Sequence, residues 1–268
     1  KILLTADLHA AWPCYDWIAE HAAKFDLVCV AGDLLDAAQW SKLADHTLRI
    51  DHWCRNLPTP LALCSGNHDG NDEPLVFESL AMDKDPDEAT TDRLRQMMLA
   101  DHWMDVLGAD RVVTDGQSRL LKVGSARLVV TTIPYNAGGR VAESLWEKGA
   151  ALREASGAPW LALHHEPPAN AAVAGEFGDE FLQWSLEAHR PDFLLSGPLH
   201  RQPYAGDFAA KVHDTWCFNP GQPCIEGPLE NEPPNHIILD LKARKGTWDA
   251  VPLKSTKRIR RPKSMGVS

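Results

Sequence analysis

The sequence lacks the features that mark several classes of protein. No apolar run approaches the roughly 18–20 residues that a membrane-spanning helix needs, and the first residues have no signal-peptide layout. The six cysteines include no C-x-x-C pair, which excludes a zinc ribbon, and Cys29, Cys54 and Cys64 stand inside apolar segments. Such cysteines are typical of reduced core thiols, so we expect a cytoplasmic protein with no membrane partner.

Linkers and repeats are also missing. The 268 residues contain no Ser/Gly-rich stretch and no internal repeat, so we expect one domain over residues 1–253 and a disordered basic tail over residues 254–268. The tail holds six of the 27 basic residues and none of the 37 acidic ones, which leaves the rest of the chain with a net charge of −16. A body this acidic repels polyanions, which argues against a nuclease, although the tail could bind one.

What the sequence does contain is a series of short apolar segments that each end at polar residues. These segments cover residues 1–6, 25–31, 60–65, 160–163 and 193–196. Between them, Leu43, Thr47, Ile50, Cys54 and Leu57 recur at helical spacing. Strands that alternate with helices predict a parallel sheet, and ligands collect at the carboxyl ends of its strands.

A second group of segments predicts further strands. A meander is expected over residues 111–114, 119–123 and 127–133, and antiparallel strands over residues 212–218, 236–241 and 247–253. Helices are expected after Arg140 and over residues 181–189. The acidic, strand-free residues 69–92 are expected to form a mobile excursion over the site. The predicted class is α/β, a four-layer α-β-β-α sandwich with two mixed sheets packed face to face and helices outside.

Metal-binding side chains follow the predicted strands. They are Asp7, His9, Asp33, Asn67, His68, His200 and one of the neighbours His164 and His165. Carboxylates, imidazoles and an amide suit Mn²⁺, Fe, Zn²⁺ or Ni²⁺ better than Ca²⁺ or Cu(I). The set is too large for one ion, which indicates a pair of ions that share one carboxylate.

The motifs resemble those of the calcineurin-like metallophosphoesterases over roughly residues 1–225. The matching pieces, in order, are D-x-H at 7–9, G-D at 32–33, G-N-H-D at 66–69, His164 and G-x-x-H at 197–200. The resemblance implies that Asp7, His9 and His200 hold a first metal ion, that Asn67 and His164 hold a second, and that Asp33 bridges the two ions. It also implies that His68 protonates or stabilises the leaving oxygen and that Asp69 orients His68.

The implied activity is hydrolysis of a phosphate mono- or diester through attack by a metal-bound hydroxide. The implied cofactors are two divalent ions (Mn, Fe, Zn or Ni), with Mn²⁺ expected to support activity in vitro, and the partner is a small phosphate ester or a phosphoprotein. Pro198 departs from the family pattern, because it stands where most members have a histidine that binds the second metal. The second site is therefore expected to be weak. The alternative is a metal-dependent module that binds a nucleotide or phosphoprotein with little turnover.

Two further assignments stay open at this stage. His164 and His165 should point to opposite faces of their strand, and the resemblance favours His164 as the ligand. Trp12 and Trp40 follow metal-bearing strand ends, so each is a candidate for the rim of a substrate pocket as well as for the core.

Overall fold

The structure is a computed structural model that describes residues 1–70, 88–100, 102–107, 111–222, 233–250 and 265–266. Its helices are α1 (Trp12–His21), α2 (Leu43–Asn56), α3 (Glu88–Leu99), α4 (Gly139–Ser156) and α5 (Glu180–His189). Its strands are β1 (Ile2–Thr5), β2 (Leu27–Ala31), β3 (Leu61–Cys64), β4 (Val112–Val113), β5 (Ser118–Val123), β6 (Ala126–Thr132), β7 (Trp160–Leu163), β8 (Phe193–Leu195), β9 (Ala209–Val212), β10 (Thr215–Phe218), β11 (His236–Asp240), β12 (Lys245–Asp249) and β13 (Met265–Gly266).

The strands form two mixed sheets. The first has the order β13-β12-β11-β1-β2-β3-β4, and the second has the order β5-β6-β7-β8-β10-β9. In the first sheet, β1 to β4 are parallel and β11 runs antiparallel to β1. In the second sheet, β6, β7, β8 and β10 are parallel. The parallel strands therefore bring their carboxyl ends to one edge of each sheet.

Three buried clusters define the layers. One lies between the sheets and includes Leu4, Cys29 and Leu161. The others lie between each sheet and its helices, around Ile18 of α1 for the first sheet and Trp146 of α4 for the second. Strands buried on both faces read as continuous apolar runs, as these do. The predicted four-layer α/β sandwich is confirmed.

Two strand predictions are wrong in detail. The predicted meander is split between the sheets, because β4 pairs with β3 whereas β5 and β6 form a hairpin in the other sheet. The single strand expected over residues 212–218 is instead the hairpin of β9 and β10, which turns at His213 with a φ of 52°. A short polar turn inside an alternating segment carries too weak a signal to separate the two strands.

Other predictions fall largely outside the described residues. Most of the acidic segment 69–92 lies at the undescribed residues 71–87. The predicted tail 254–268 is described only at β13, which pairs with β12 at Lys245 and Gly246. Among the helices that the structure describes, none has the length and apolar character needed to cross a bilayer.

Candidate metal centre

The loops that follow β1 and β2 hold their polar side chains on an unusual backbone. Asp7, His9 and Asp33 all have a positive φ, of 54°, 46° and 50°. A positive φ is uncommon for residues other than glycine, and each instance costs of the order of 1 kcal/mol or more. Backbone hydrogen bonds fix the two loops side by side, from Asp7 N to Gly32 O at 3.1 Å and from His9 N to Asp33 O at 2.8 Å. Within these two loops, the strained backbone lies at the candidate ligands themselves.

Glycines allow the strand ends to approach closely. A Cβ on Gly32 would collide with the His165 ring, and one on Gly66 would collide with the side chain and backbone of Asp33. Gly197 is similarly crowded, since its Cβ would lie 2.6 Å from the Ala31 carbonyl oxygen. The glycines of the sequence motifs are therefore needed for contact between the loops.

Asp7, His9 and His200 form the first group of candidate ligands, and each offers an atom within 4.8 Å of the others. His200 Nε2 lies 3.8 Å from Asp7 Oδ1. Both carboxylate oxygens of Asp7 and Nε2 of His9 are buried with no hydrogen-bond partner among the described residues. Burial raises the pKa of Asp7 well above its usual value. Unpaired buried oxygens and imidazole nitrogens are what a divalent cation would satisfy, so this group fits a metal.

His165 joins Asp33 and Asn67 in a second group. Its Nε2 lies 3.5 Å from Asp33 Oδ2 and 3.0 Å from Asn67 Oδ1. Its Nδ1 faces the Ala31 carbonyl oxygen at 3.0 Å, so Nδ1 carries a proton and Nε2 is the atom that faces the group. Burial lowers the pKa of His165, but Asp33 and Asp7 outweigh it and raise the pKa to about 9. The negative charges that favour a proton on His165 would also favour a bound metal cation. Such a cation would displace the proton from Nε2.

Asp33 lies between the two groups. The same oxygen, Oδ2, is 3.6 Å from His9 Nε2 and 3.5 Å from His165 Nε2. Burial opposes the charge on Asp33, but hydrogen bonds from His165 and from the His68 backbone lower its pKa. An ionised carboxylate at this point lies within reach of candidate ligands of both groups.

His164, which the sequence favoured as a ligand, points elsewhere. Its Nδ1 lies 3.1 Å from the Glu166 carbonyl oxygen, and it belongs to none of the candidate metal groups found among the described residues. In β7, Leu161 and Leu163 face the other sheet, and His165 continues that face. The structure therefore favours His165 over His164 as the metal ligand.

His68 is oriented differently from the sequence prediction. The Ala37 N–H donates to His68 Nδ1 at 3.1 Å, and Asp36 Oδ1 lies 3.8 Å from the same atom. Nδ1 is thus an acceptor, and the neutral ring carries its proton on Nε2. The rings of His68 and His9 meet edge to face, 4.6 Å apart. The position of Asp36 beside His68 was not predicted from the sequence, although Asp36 stands only three residues after Asp33.

Asp69, expected to orient His68, has another role. Its carboxylate accepts backbone hydrogen bonds from Leu34, Leu35 and Gly66, at 3.1, 2.8 and 2.9 Å. Asp69 is completely buried, and this burial raises its pKa to about 7. It therefore ties the loop after β2 to the loop after β3 and acts on His68 only through that framework.

A cavity of about 720 Å³ opens beside the first group, next to His9, His68 and His200. Gln222 also lines it, and its Nε2 donates to the Ala6 carbonyl oxygen at 2.5 Å. The cavity extends away from the candidate ligands towards α1 and the start of α2, where Trp12 and His46 form part of its wall.

Comparisons with solved structures support the fold. The protein TT1561 of Thermus thermophilus aligns with a TM-score of 0.56 and 16% identity, covering 92% of this chain and 97% of that one. A purple acid phosphatase, PPD1 from yellow lupin (Lupinus luteus) seeds, aligns with a TM-score of 0.40 and 16% identity, covering 74% and 37%. The similarity to TT1561 supports the fold only. The similarity to the purple acid phosphatase is too low to support a conclusion.

Sequence comparison identifies the family. No curated protein sequence matches the chain. The family model for the calcineurin-like phosphoesterases matches residues 1–202, which include the strand-end motifs and every member of both ligand groups. The chain therefore belongs to the calcineurin-like phosphoesterase family, whose members are metal-dependent phosphoesterases.

Proposed function

We propose that this protein hydrolyses a phosphate mono- or diester in a single in-line step at a pair of divalent ions. The observation that carries the proposal is the position of Asp33 Oδ2, about equally far from His9 Nε2 and His165 Nε2 at 3.6 and 3.5 Å. Two ions bound to these groups would supply an activated water and neutralise charge on the phosphoryl oxygens. The buried, unpaired oxygens of Asp7 support a cation at the same point.

The chain's own residues divide the work. Asp7, His9 and His200 would hold one ion, Asn67 and His165 the other, and Asp33 both. His68 lies at the edge of this set with its Nε2 proton available, because Nδ1 accepts the Ala37 N–H. It would donate a hydrogen bond from Nε2 to the leaving oxygen and stabilise its negative charge as the ester bond breaks. Substrates would be small phosphate esters or a phosphoprotein.

A chelation experiment tests the proposal. Protein treated with a chelator should not hydrolyse 4-nitrophenyl phosphate or its bis-ester, and added Mn²⁺ should restore turnover. Asp33→Asn should lose both turnover and bound metal, because it removes the charge shared by the two ions. Asp26→Asn is a matched control, since Asp26 directly precedes β2 at the end of the strand away from the candidate ligands. Mn²⁺-dependent turnover retained by Asp33→Asn would contradict the bridging role.

Pro198 supports a second candidate, a metal-dependent binding module with low turnover. It removes a side-chain ligand that the family pattern supplies to the second metal. The same assays separate the two candidates. Metal bound tightly, with nucleotide or phosphopeptide binding but no hydrolysis of either ester, would favour the binding module.

A further inference from the structure

The cavity beside the candidate metal centre is too large for a phosphoryl group alone. Its volume of about 720 Å³ lies within the roughly 300–1,000 Å³ of pockets that enclose drug-sized ligands. The ligand groups Asp7, His9 and His200 line one end of it. The remaining space leads away from these residues and is available to the organic part of a substrate.

The wall of this space combines apolar side chains and one indole ring with the polar side chains of Asp36, Gln39 and Lys42. Leu8 and Cys14 line it and are each 1% exposed. The Trp12 indole completes this wall, and the guanidinium of Arg49 lies over one face of the indole at 3.8 Å from the ring centre. A cation on one face holds the indole in place. A planar ring of a ligand would gain both apolar burial and aromatic contact here.

His46 supplies a polar group in the same wall. It stands in the first turn of α2, is 3% exposed, and meets the Trp12 ring edge to face at 5.2 Å. Its Nδ1 is buried and has no hydrogen-bond partner within the described part of the chain. Burial lowers the pKa of His46, so its ring is neutral near pH 7. A buried polar atom left unpaired is unfavourable, and a ligand that pairs with it gains affinity.

We propose that this cavity is the leaving-group subsite, that it binds a planar ring with a hydrogen-bonding edge against Trp12, and that His46 Nδ1 pairs with that edge. The proposal rests on the proposed function, since it assumes that the phosphoryl group lies at the metal ligands.

Phosphonates test the subsite without turnover, because their C–P bond is not hydrolysed by a phosphoesterase. Calorimetric titration of Mn²⁺-saturated protein would compare methylphosphonate, benzylphosphonate and the three pyridylmethylphosphonate isomers. We expect benzylphosphonate to bind about tenfold or more tighter than methylphosphonate, because the ring is buried. At least one pyridyl isomer should bind a further ~3- to 10-fold tighter through the hydrogen bond to His46.

Variants of His46 assign the polar gain. His46→Phe keeps an aromatic ring and should abolish the preference for pyridyl over benzyl, whereas His46→Asn retains a polar atom near Nδ1 and should keep it. His236→Phe is a matched control, because His236 is also buried, at 4% exposed, but bonds the Pro234 carbonyl oxygen away from the cavity. Bound metal and thermal unfolding would establish that each variant is folded.

The outcomes separate the two proposals. Equal binding of methyl- and benzylphosphonate would overturn the subsite while the proposed function stands. A benzyl gain without any pyridyl gain, or a pyridyl gain that survives His46→Phe, would overturn the role of His46. Binding of none of these compounds would overturn the phosphoryl site and the subsite with it.

Discussion

The two histidines that follow β7 have different surroundings, and this difference can be tested. His165 faces Asp33 and Asn67, whereas His164 faces the Glu166 carbonyl oxygen. Loss of a side chain that only hydrogen-bonds a metal ligand lowers metal affinity by ~10- to 100-fold. We expect His165→Ala to lower the affinity for one of the two proposed ions by more than this. His164→Ala should leave metal affinity within a few-fold of wild type. Metal titration of both proteins measures this, and the reverse order would show that His164 is the ligand.

There is a physical reason why the sequence alone does not show which of these histidines is the ligand. Both faces of β7 are apolar, since Trp160 and Ala162 face the helices while Leu161 and Leu163 face the other sheet. Alternation alone therefore predicts that only one histidine enters the site but not which one. The choice depends on which face packs against the first sheet, and that is a property of tertiary structure.

His68 is expected to act on the leaving group and not on the metal. His68→Ala should leave bound metal unchanged and reduce turnover by roughly 10²- to 10⁴-fold for an alkyl phosphate ester. The loss should be smaller for a nitrophenyl ester, because nitrophenolate is a stable anion that needs little help from a hydrogen bond. Steady-state rates for the two esters give the comparison.

Asp36→Asn adds a control for the orientation of the His68 ring. The Asp36 carboxylate accepts hydrogen bonds from Ala38 N and Gln39 Nε2, and so supports the loop whose Ala37 N–H donates to His68 Nδ1. Its loss should therefore give a weaker effect with the same dependence on the ester. An equal loss of turnover for both esters in His68→Ala would count against the leaving-group role.

At the scale of whole elements, the site depends on how closely the loops after β2 and β3 approach. Gly66 lies against Asp33 with no room for a Cβ, whereas a Cβ on Gly70 would meet no atom of the described residues within 4 Å. We expect Gly66→Ala to destabilise the fold by about 1–3 kcal/mol through overpacking and to weaken metal binding, because the Asp33 carboxylate must move. Denaturant unfolding and metal titration are the measurements.

Gly70→Ala is the control for this prediction. It should be close to neutral in both measurements, because the added methyl group contacts none of the residues that the structure describes. Similar effects of the two substitutions would mean that the close approach of Gly66 to Asp33 does not hold the site together.

The elements themselves were largely accessible from sequence. Buried parallel strands such as β1, β2 and β3 give apolar runs that stop at polar residues, and both signals are local. Strand partners were harder, because β4 is only two residues long and its pairing with β3 is decided by the first sheet. The orientation of His68 by the Ala37 N–H was also inaccessible, since it depends on how two loops pack.

For the whole molecule, the buried carboxylates make stability depend on cations. Asp7, Asp33 and Asp69 are each at most 3% exposed, and burial, together with the charges of Asp33 and Asp69, raises the pKa of Asp7. A divalent ion that binds only the folded state should therefore stabilise it. At 100 times the dissociation constant, one ion contributes about 2.7 kcal/mol. For a chain of this size that corresponds to an increase in Tm of roughly 5–10 °C.

The two ions of the proposed centre should not contribute equally. Under this proposal Asp7, His9, His200 and Asp33 would hold the first ion, whereas the second would have Asn67, His165 and a share of Asp33, with Pro198 in place of a further histidine. We expect Tm to rise with Mn²⁺ in two phases, one at low and one at much higher concentration.

Pro198→His should move the second phase to lower Mn²⁺ and leave the first in place, whereas Asp33→Asn should weaken both. Proline also fixes its own φ, so an altered first phase in Pro198→His would indicate movement of the loop that carries His200. Retention of two ions by the wild-type protein through exhaustive dialysis would contradict the weak second site, and would mean that His165, Asn67 and Asp33 are sufficient to hold the second ion.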